Sequence, residues 1–525
     1  METWDEEATA YDKVLYPSGL FPQTHPDRLA TTAYLRGMFP NPIEHCRVLE
    51  LGCGAANNLL SMAFQLPGSD FVGVDLGRIP IAAGQAAVSE LGLRNVTLEA
   101  MDICNPDLRK FGTFDFIIAH GVYSWVPPQV RECILRICRK MLAPNGIAYI
   151  SYNAYPGCHF RDLVRHMMCF HTQKFDEVAE KAVQARALVK FVAESRKKSD
   201  YYTEAFRSQL GRLTRYDDRS LYHDDLNPAA RPFYFHEFME EAQRHDLKYV
   251  GEATLDTSDR ALFTDQALQR MNELEGADEI VREQYKDFLC GTGFRQTLLC
   301  QKETLLSPAF LEDRIPELFV TCDYVPMSDP DTAGDAPFEI KSPEGGKVEI
   351  GHPVWRAAIT YICSQWPGAV SFAQIMDELE RRKESKFPKA KRADQAAVIV
   401  AALKQAYFAG VVSLRVRPPV VANRVSEQPA ISQLARAQIR FGSSVSTQLH
   451  RSMKIPDAAS RHFMLLLDGT RDLETLSSEM IDFTKTSQPE PDQASGEDAN
   501  SFRTGVRERV KNNLYSLMRA GMLVS

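Results

Sequence analysis

No uninterrupted apolar run in this 525-residue sequence approaches the ~18 residues that a membrane-spanning helix needs. No membrane insertion is expected. Cysteine pairing is equally scarce: the 11 cysteines stand singly, with no Cys-x-x-Cys pair and no Cys/His cluster at zinc spacing. The sequence therefore predicts neither a metal site nor disulfides. Cys53, in a glycine loop with no His or Arg beside it, reads as a packed thiol and not a reactive one. An excess of basic residues is also missing. Lys and Arg number 61 against 69 Asp and Glu, a net charge of -8, which argues against general affinity for nucleic acid or anionic membrane. The acidic Met1–Ala10 stretch lacks the character of a secretory signal. A cytoplasmic protein is expected.

What is present is alternation. Cys46–Leu51 is a short apolar run ending at a glycine-rich turn, and Asn58–Leu66 reads as a helix. Strands follow at Phe71–Asp75, Val96–Ala100, Phe114–Ala119 and Ile147–Tyr152, with a helix at Ile79–Leu91; Pro144-Asn145-Gly146 is the turn that feeds the fifth strand. Strands alternating with helical stretches are the pattern of a parallel α/β sheet. From Phe160 to Arg231 only helical patterns appear, the longest at Glu177–Lys197. Sheet signals then resume, with a helix at Phe235–Arg244 and strands at Leu247–Glu252 and Phe294–Lys302. The fold class is thus a Rossmann-like sheet with helical insertions, which serve as a lid or substrate wall.

The remainder carries an internal repeat. Leu403–Ser413 (LKQAYFAGVVS) matches Leu514–Ser525 (LYSLMRAGMLVS). Helices at Trp355–Gln365 and Phe372–Arg381 precede the first copy, and helices at Ser460–Leu467 and Leu473–Phe483 the second. Helix, short strand, helix, long helix and then a β wing is the winged-helix order. Two winged-helix-like α+β modules are expected, with Pro418-Pro419 and the stretch near Gln428 between them. Ser487–Asn500 reads as a polar, acidic insertion. The lysine run Lys383–Arg392 reads as a solvated loop, since residues 303–525 nearly balance their charges and Ser328–Asp335 is acidic. These modules are expected to dock protein. The expected divisions are 1–159 (core with an N-terminal cap), 160–302 (helical insertions and the last two strands), 303–420 and 421–525.

The strongest chemical signal is Glu50-Leu51-Gly52-Cys53-Gly54. Glycines at a strand end let the backbone approach a ligand as the chain turns into a helix. Asp75 ends the second strand, where a carboxylate binds both ribose hydroxyls. Asp102 follows the third, where it accepts from an adenine amino group. Glu50 discriminates between ligands. A dinucleotide loop excludes negative charge to admit a pyrophosphate, whereas a carboxylate at the loop entrance suits a phosphate-free ligand with a cationic methionine moiety. S-adenosylmethionine has that chemistry. The expected cofactor-binding residues are Glu50, Gly52, Gly54, Asn58, Asp75, Leu76, Met101, Asp102, Ile103 and His120. At the end of the fourth strand His120 faces the acceptor position, with Tyr123 and Trp125 as an aromatic wall for an amine; ordinary core packing is the competing reading for all three.

Over residues 45–155 the sequence resembles class I methyltransferases. It is more closely similar to bacterial methyltransferases with a methyltransferase regulatory domain, including protein-lysine methyltransferases that modify outer-membrane proteins. The resemblance rests on Tyr11-Asp12, Tyr16-Pro17-Ser18, Phe21-Pro22-Gln23-Thr24-His25-Pro26, VLELGCG from Val48 and FVGVDL from Phe71. It continues through Ser151-Tyr152-Asn153, Tyr155-Pro156-Gly157, Tyr234-Phe235-His236-Glu237-Phe238, Phe294-Arg295-Gln296-Thr297-Leu298-Leu299-Cys300 and Leu466-Leu467-Asp468-Gly469-Thr470-Arg471. It departs at Ala55-Ala56-Asn57, where members usually carry one or two glycines, which bears on cofactor affinity. The resemblance implies that Tyr16 and His25 help cover the methyl-donor site, with His25 among its binding residues and His120, Tyr123 and Tyr16 as catalytic candidates. It further implies a lysine-bearing protein substrate; a homodimer is also compatible. No Asn/Asp-Pro-Pro-Tyr clamp for planar amides follows the fourth strand. A small-molecule N- or O-methyltransferase and a cofactor-sensing regulator without catalysis remain open.

Overall fold

The computed structural model describes residues 19–254, 263–273, 278–307, 309–328, 338–382, 391–487 and 499–524. Tyr16, most of the lysine run after Arg382, the acidic stretch after Ser328 and most of the Ser487–Asn500 insertion lie outside them. The chain divides into two units, one built mainly on Met38–Thr254 with the residues up to Leu306, the other on Leu20–Gly37 and Ser307–Ser525. Among the described residues no helix is long and apolar enough to cross a membrane.

The first unit holds a seven-stranded sheet. Its strands are β1 (Arg47–Leu51), β2 (Asp70–Asp75), β3 (Val96–Ala100), β4 (Phe114–Ala119), β5 (Leu142–Asn153), β6 (Leu247–Glu252) and β7 (Phe294–Gln301), in the order β3-β2-β1-β4-β5-β7-β6. The first five are parallel and β7 runs antiparallel to both β5 and β6. Leu49 of β1 pairs with Val72 on one side and Ile117 on the other. All six β4 residues are buried, because helices cover both faces of a parallel sheet, and this explains the unbroken apolar reading of FDFIIA. β5 is longer than expected. Phe114 pairs with Leu142 and Phe116 with Ile147, so Pro144-Asn145-Gly146 is absorbed as an irregularity within the strand, with Asn145 at φ 60. The helices of residues 159–225 form a separate small core around Val164, Met168, Ala182, Val189 and Phe206.

One disulfide corrects the sequence expectation: Cys104, in the loop after β3, is bonded to Cys133 on the helix Pro128–Met141. The two are 29 residues apart, and only the return of that helix past the loop brings them together. Cys53 is buried, and burial holds its thiol well above the usual range.

In the second unit, the helix Pro26–Leu35, expected in the N-terminal cap, packs with the middle module. Leu35 joins a core with Ile315, Val320 and Trp355. The buried Asp27 carboxylate needs a cation, and it finds Arg415 at 2.8 Å and the Arg417 N–H at 3.1 Å. The repeat is realised topologically. The strand Phe319–Thr321 lies between the strands Val370–Ser371 and Ser413–Arg415. In the second copy Ala430 pairs with Asp468 and Ile431 with Leu523. The wing stands elsewhere than expected: the hairpins of Phe338–Lys341 with Lys347–Ile350 and of Ser444–Ser446 with Ser452–Lys454 come before the helices Pro353–Ser364 and Ala458–Leu466.

The antiparallel end of the sheet is fixed by one buried cation. Arg295 on β7 contacts Glu252 at 2.8 Å, Asp287 at 2.9 Å and Glu283 at 3.4 Å, with its guanidinium 3.9 Å from the Phe235 ring. Replacing Arg295 by Leu strands buried carboxylates and should cost about 3–5 kcal/mol. Denaturant unfolding of the full chain, followed by circular dichroism, should show an earlier transition in the variant; an unshifted transition contradicts this reading.

Candidate functional site

The parallel strands deliver their carboxyl ends to one edge of the sheet, and the helices after β1 and β4 leave on opposite sides of it, which opens a crevice there. Glu50 is the fourth residue of β1 and is buried. Its Oε1 accepts from Asn58 Nδ2 at 2.9 Å, while Oε2 is buried without a hydrogen-bond partner among the described residues. Burial, with Asp75 adding repulsion against the pull of Asn58, pushes the Glu50 carboxyl up to about 7.

The turn after β1 is built from left-handed residues. Gly52 (φ 73) donates its N–H to Val74 O at 2.8 Å, and a Cβ there would meet Val122 Cγ2 at 2.6 Å. Gly54 (φ 54) donates to Asp75 Oδ2 at 2.8 Å, and a Cβ there would enter open space. Ala56, the helix N-cap, also sits in the left-handed region at φ 60, a conformation that suits glycine and costs alanine. The departure noted at 55–57 therefore carries strain.

Asp75 accepts from Gly77 N through Oδ1 and from Gly54 N through Oδ2, both at 2.8 Å. Each carboxylate oxygen has two acceptor directions. Asp102 uses Oδ1 to accept from Cys104 N at 2.8 Å. Met101 is buried in the core, Ile103 packs against it, and Leu76 is exposed beside Asp75.

At the end of β4, His120 Nδ1 lies 2.9 Å from the Tyr149 hydroxyl and 3.3 Å from Ser151 Oγ. Ser151 Oγ accepts from Gly121 N at 2.8 Å. The Phe294 ring stands edge-on to the imidazole, 6.2 Å between centroids. Burial depresses the His120 imidazole to about 4, so it is neutral at pH 7. Tyr149 was not singled out from the sequence, and Ser151 and Phe294 entered only as carriers of the family resemblance, with no place in the site. Tyr149 and Ser151 share one face of β5 by their two-residue spacing, and β5 pairs with β4 through Ala119 and Ile150. That register was the missing signal.

One expected residue stands outside this group. Tyr123 is fully buried, its hydroxyl donates to Glu241, and its ring packs on Phe238 and Phe233 at 5.2 and 5.4 Å. It is a core residue, as the competing reading had it. His25 belongs to the second unit, where its Nδ1 accepts from Asp27 N at 3.2 Å and its ring lies 5.4 Å from that of His450. It caps the helix Pro26–Leu35.

A sheet of this order with a glycine turn after β1 defines the class I methyltransferase fold. Residues 49–148 match the methyltransferase domain, residues 217–301 the predicted methyltransferase regulatory domain, and residues 427–522 the PKMT C-terminal winged helix domain. The chain belongs to the family that joins these three parts. An uncharacterized protein of Rickettsia prowazekii is 37% identical over 318 residues, and the match spans 60% of this chain and 57% of that protein. A second from the same organism is 38% identical over 242 residues, which cover 46% of this chain and 96% of the relative. The structure of PKMT2 from Rickettsia typhi in complex with AdoHcy superposes with a TM-score of 0.86 at 27% identity, over 97% of this chain and 100% of that one.

Replacing Asp75 by Ala removes the acceptor at the end of β2 and should weaken S-adenosylmethionine binding by about 1–3 kcal/mol, roughly five- to 150-fold. Calorimetric titration checks this, and an unchanged affinity excludes Asp75 from the ligand site.

Proposed function

We propose that this protein transfers methyl groups from S-adenosylmethionine to lysine side chains of a protein substrate. The observation that carries the proposal is the pairing of a buried, half-satisfied carboxylate at the end of β1 with a neutral, aromatic-sided cluster at the end of β4. Similarity to PKMT2 along almost the whole chain supports it.

The residues fit the donor. In this reading Asp75 takes the ribose hydroxyls, and Asp102 accepts from the adenine amino group. The orphaned Oε2 of Glu50 receives the cationic amino group of the methionine moiety, and the open space beside Gly54 admits it. When bound, the donor supplies an electrophilic methyl on a sulfonium. The protein's part is placement: holding an acceptor in line is worth up to ~7–11 kcal/mol.

A lysine acceptor must first lose a proton, which costs about 4–5 kcal/mol at neutral pH. A dehydrated pocket disfavours the ammonium and reduces that cost. His120, held neutral by burial, adds no charge to the pocket, and the Tyr149 and Ser151 hydroxyls supply hydrogen bonds to orient the amine.

Two outcomes follow. Only ionised Glu50 attracts a cation, so donor affinity should be full above about pH 7 and fall as pH drops through it, approaching tenfold per unit. Glu50→Gln should flatten that dependence. Calorimetry on either side of neutrality decides, and pH-independent wild-type affinity excludes Glu50. Secondly, mass spectrometry of a protein fraction incubated with the enzyme and S-adenosylmethionine should find added methyls on lysine, absent with the Asp75→Ala variant. Methyls on carboxylates, or only on small metabolites, contradict the lysine assignment.

A further inference from the structure

The helix Glu279–Cys290 is built inside out. Its buried side is polar: Glu283, Gln284 and Asp287 are covered. Glu283 and Asp287 pair with Arg295, and Gln284 Oε1 accepts from the His236 backbone at 3.1 Å and meets its Nδ1 at 2.9 Å. Its solvent side is apolar: Val281, Tyr285, Phe288 and Leu289 are 41%, 47%, 49% and 47% exposed. These positions repeat at the four-, three- and one-residue steps of one helical face. The arrangement needs the Arg295 network, because only a buried cation lets a helix turn its carboxylates inward.

This face does not stop at the helix. The Phe288 ring lies 6.1 Å from Tyr234, whose hydroxyl is 2.8 Å from His159 Nε2, and His159 stacks on Tyr155 at 4.1 Å. The loop carrying Tyr155 is laced to the loop that ends the helix, with Gly157 N donating to Thr292 O and Ala154 N to Gly293 O, both at 3.0 Å. Phe294, 39% exposed, follows at once and touches His120. Rings thus link the helix to the loop at Tyr155, and backbone hydrogen bonds tie that loop to the segment that carries Phe294. In sequence, residues 217–301 hold 18 Asp and Glu against 9 Lys and Arg; Asp225, Glu252, Glu283 and Asp287 among them already pair with arginines.

We propose that the exposed face of the helix Glu279–Cys290 is the docking surface for the polypeptide that bears the methylated lysine, recognising apolar or aromatic side chains near that lysine. This rests on the lysine-acceptor reading above. Phe294, which follows the helix in the chain and meets His120, leads a bound segment toward the site of transfer, the acidic excess of residues 217–301 suits a cationic partner, and the uncharged rings favour apolar neighbours of the lysine. Remote contacts of this kind position the reacting amine.

The test uses the full chain with S-adenosylhomocysteine present and two fluorescently labelled synthetic peptides. Each has a central lysine; one is flanked by Phe and Leu, the other by Ser and Gly. Fluorescence anisotropy should show the apolar-flanked peptide binding at least tenfold more tightly, and the double variant F288S/L289S should erase the difference while donor affinity by calorimetry stays unchanged. Equal binding of both peptides, or no binding of either, overturns the proposal. So does a change of sedimentation from dimer to monomer in the variant, which would assign the face to a second copy of this chain. Incubation with S-adenosylmethionine separates the two readings: a peptide that docks on this face but acquires no methyl-lysine leaves docking standing and removes the lysine assignment.

Discussion

Between β1 and β4 the sheet reverses its winding: β2 and β3 are laid to one side, and β5, β7 and β6 to the other. The chain segments leaving β1 and β4 diverge, and a crevice at their carboxyl ends is the geometric consequence. Every residue assigned to the donor or to the acceptor pocket at β4 depends on it. Glu50 comes from within β1, Asp75 from the end of β2, Asp102 from just beyond β3 and His120 from just beyond β4. None needs a long loop to hold it, so hydrogen bonds inside the turns suffice, as those from Gly54 and Gly77 to Asp75 show. Burial then sets the chemistry, raising the Glu50 carboxyl and depressing the His120 imidazole.

The antiparallel strands β6 and β7 solve a second problem. A parallel sheet ending at β5 would leave an open edge; β7 and β6 extend it and carry Arg295 into the interior. That guanidinium gathers carboxylates from β6 and from the helix Glu279–Cys290. The same interaction that holds the sheet's end also turns an aromatic face outward.

Much of this was legible in the sequence because it is local. β4, β6 and the helix Phe235–Arg244 match their expected limits, since each is bounded by turn residues and carries an unambiguous period. The cofactor turn was legible because glycine at a strand end has few other uses. What escaped depends on distant partners. Asp27 and Arg415 are 388 residues apart, and nothing near Pro26 announces that its helix packs with the middle module. Tyr123 follows a strand end, as an acceptor-side residue would, but Glu241 holds its hydroxyl inside the core. The inverted helix defeats an amphipathicity argument, because its buried side is the charged one.

The central claim is that one crevice, at the reversal between β1 and β4, holds the methyl donor. A crystal structure of the full chain grown with S-adenosylhomocysteine tests it most directly. The ribose should lie on Asp75, the adenine beside Asp102 and the amino group of the homocysteine moiety within hydrogen-bond distance of Glu50 Oε2. A ligand bound elsewhere, or bound here with Glu50 and Asp75 still turned only to their own backbone and side-chain partners, would contradict it.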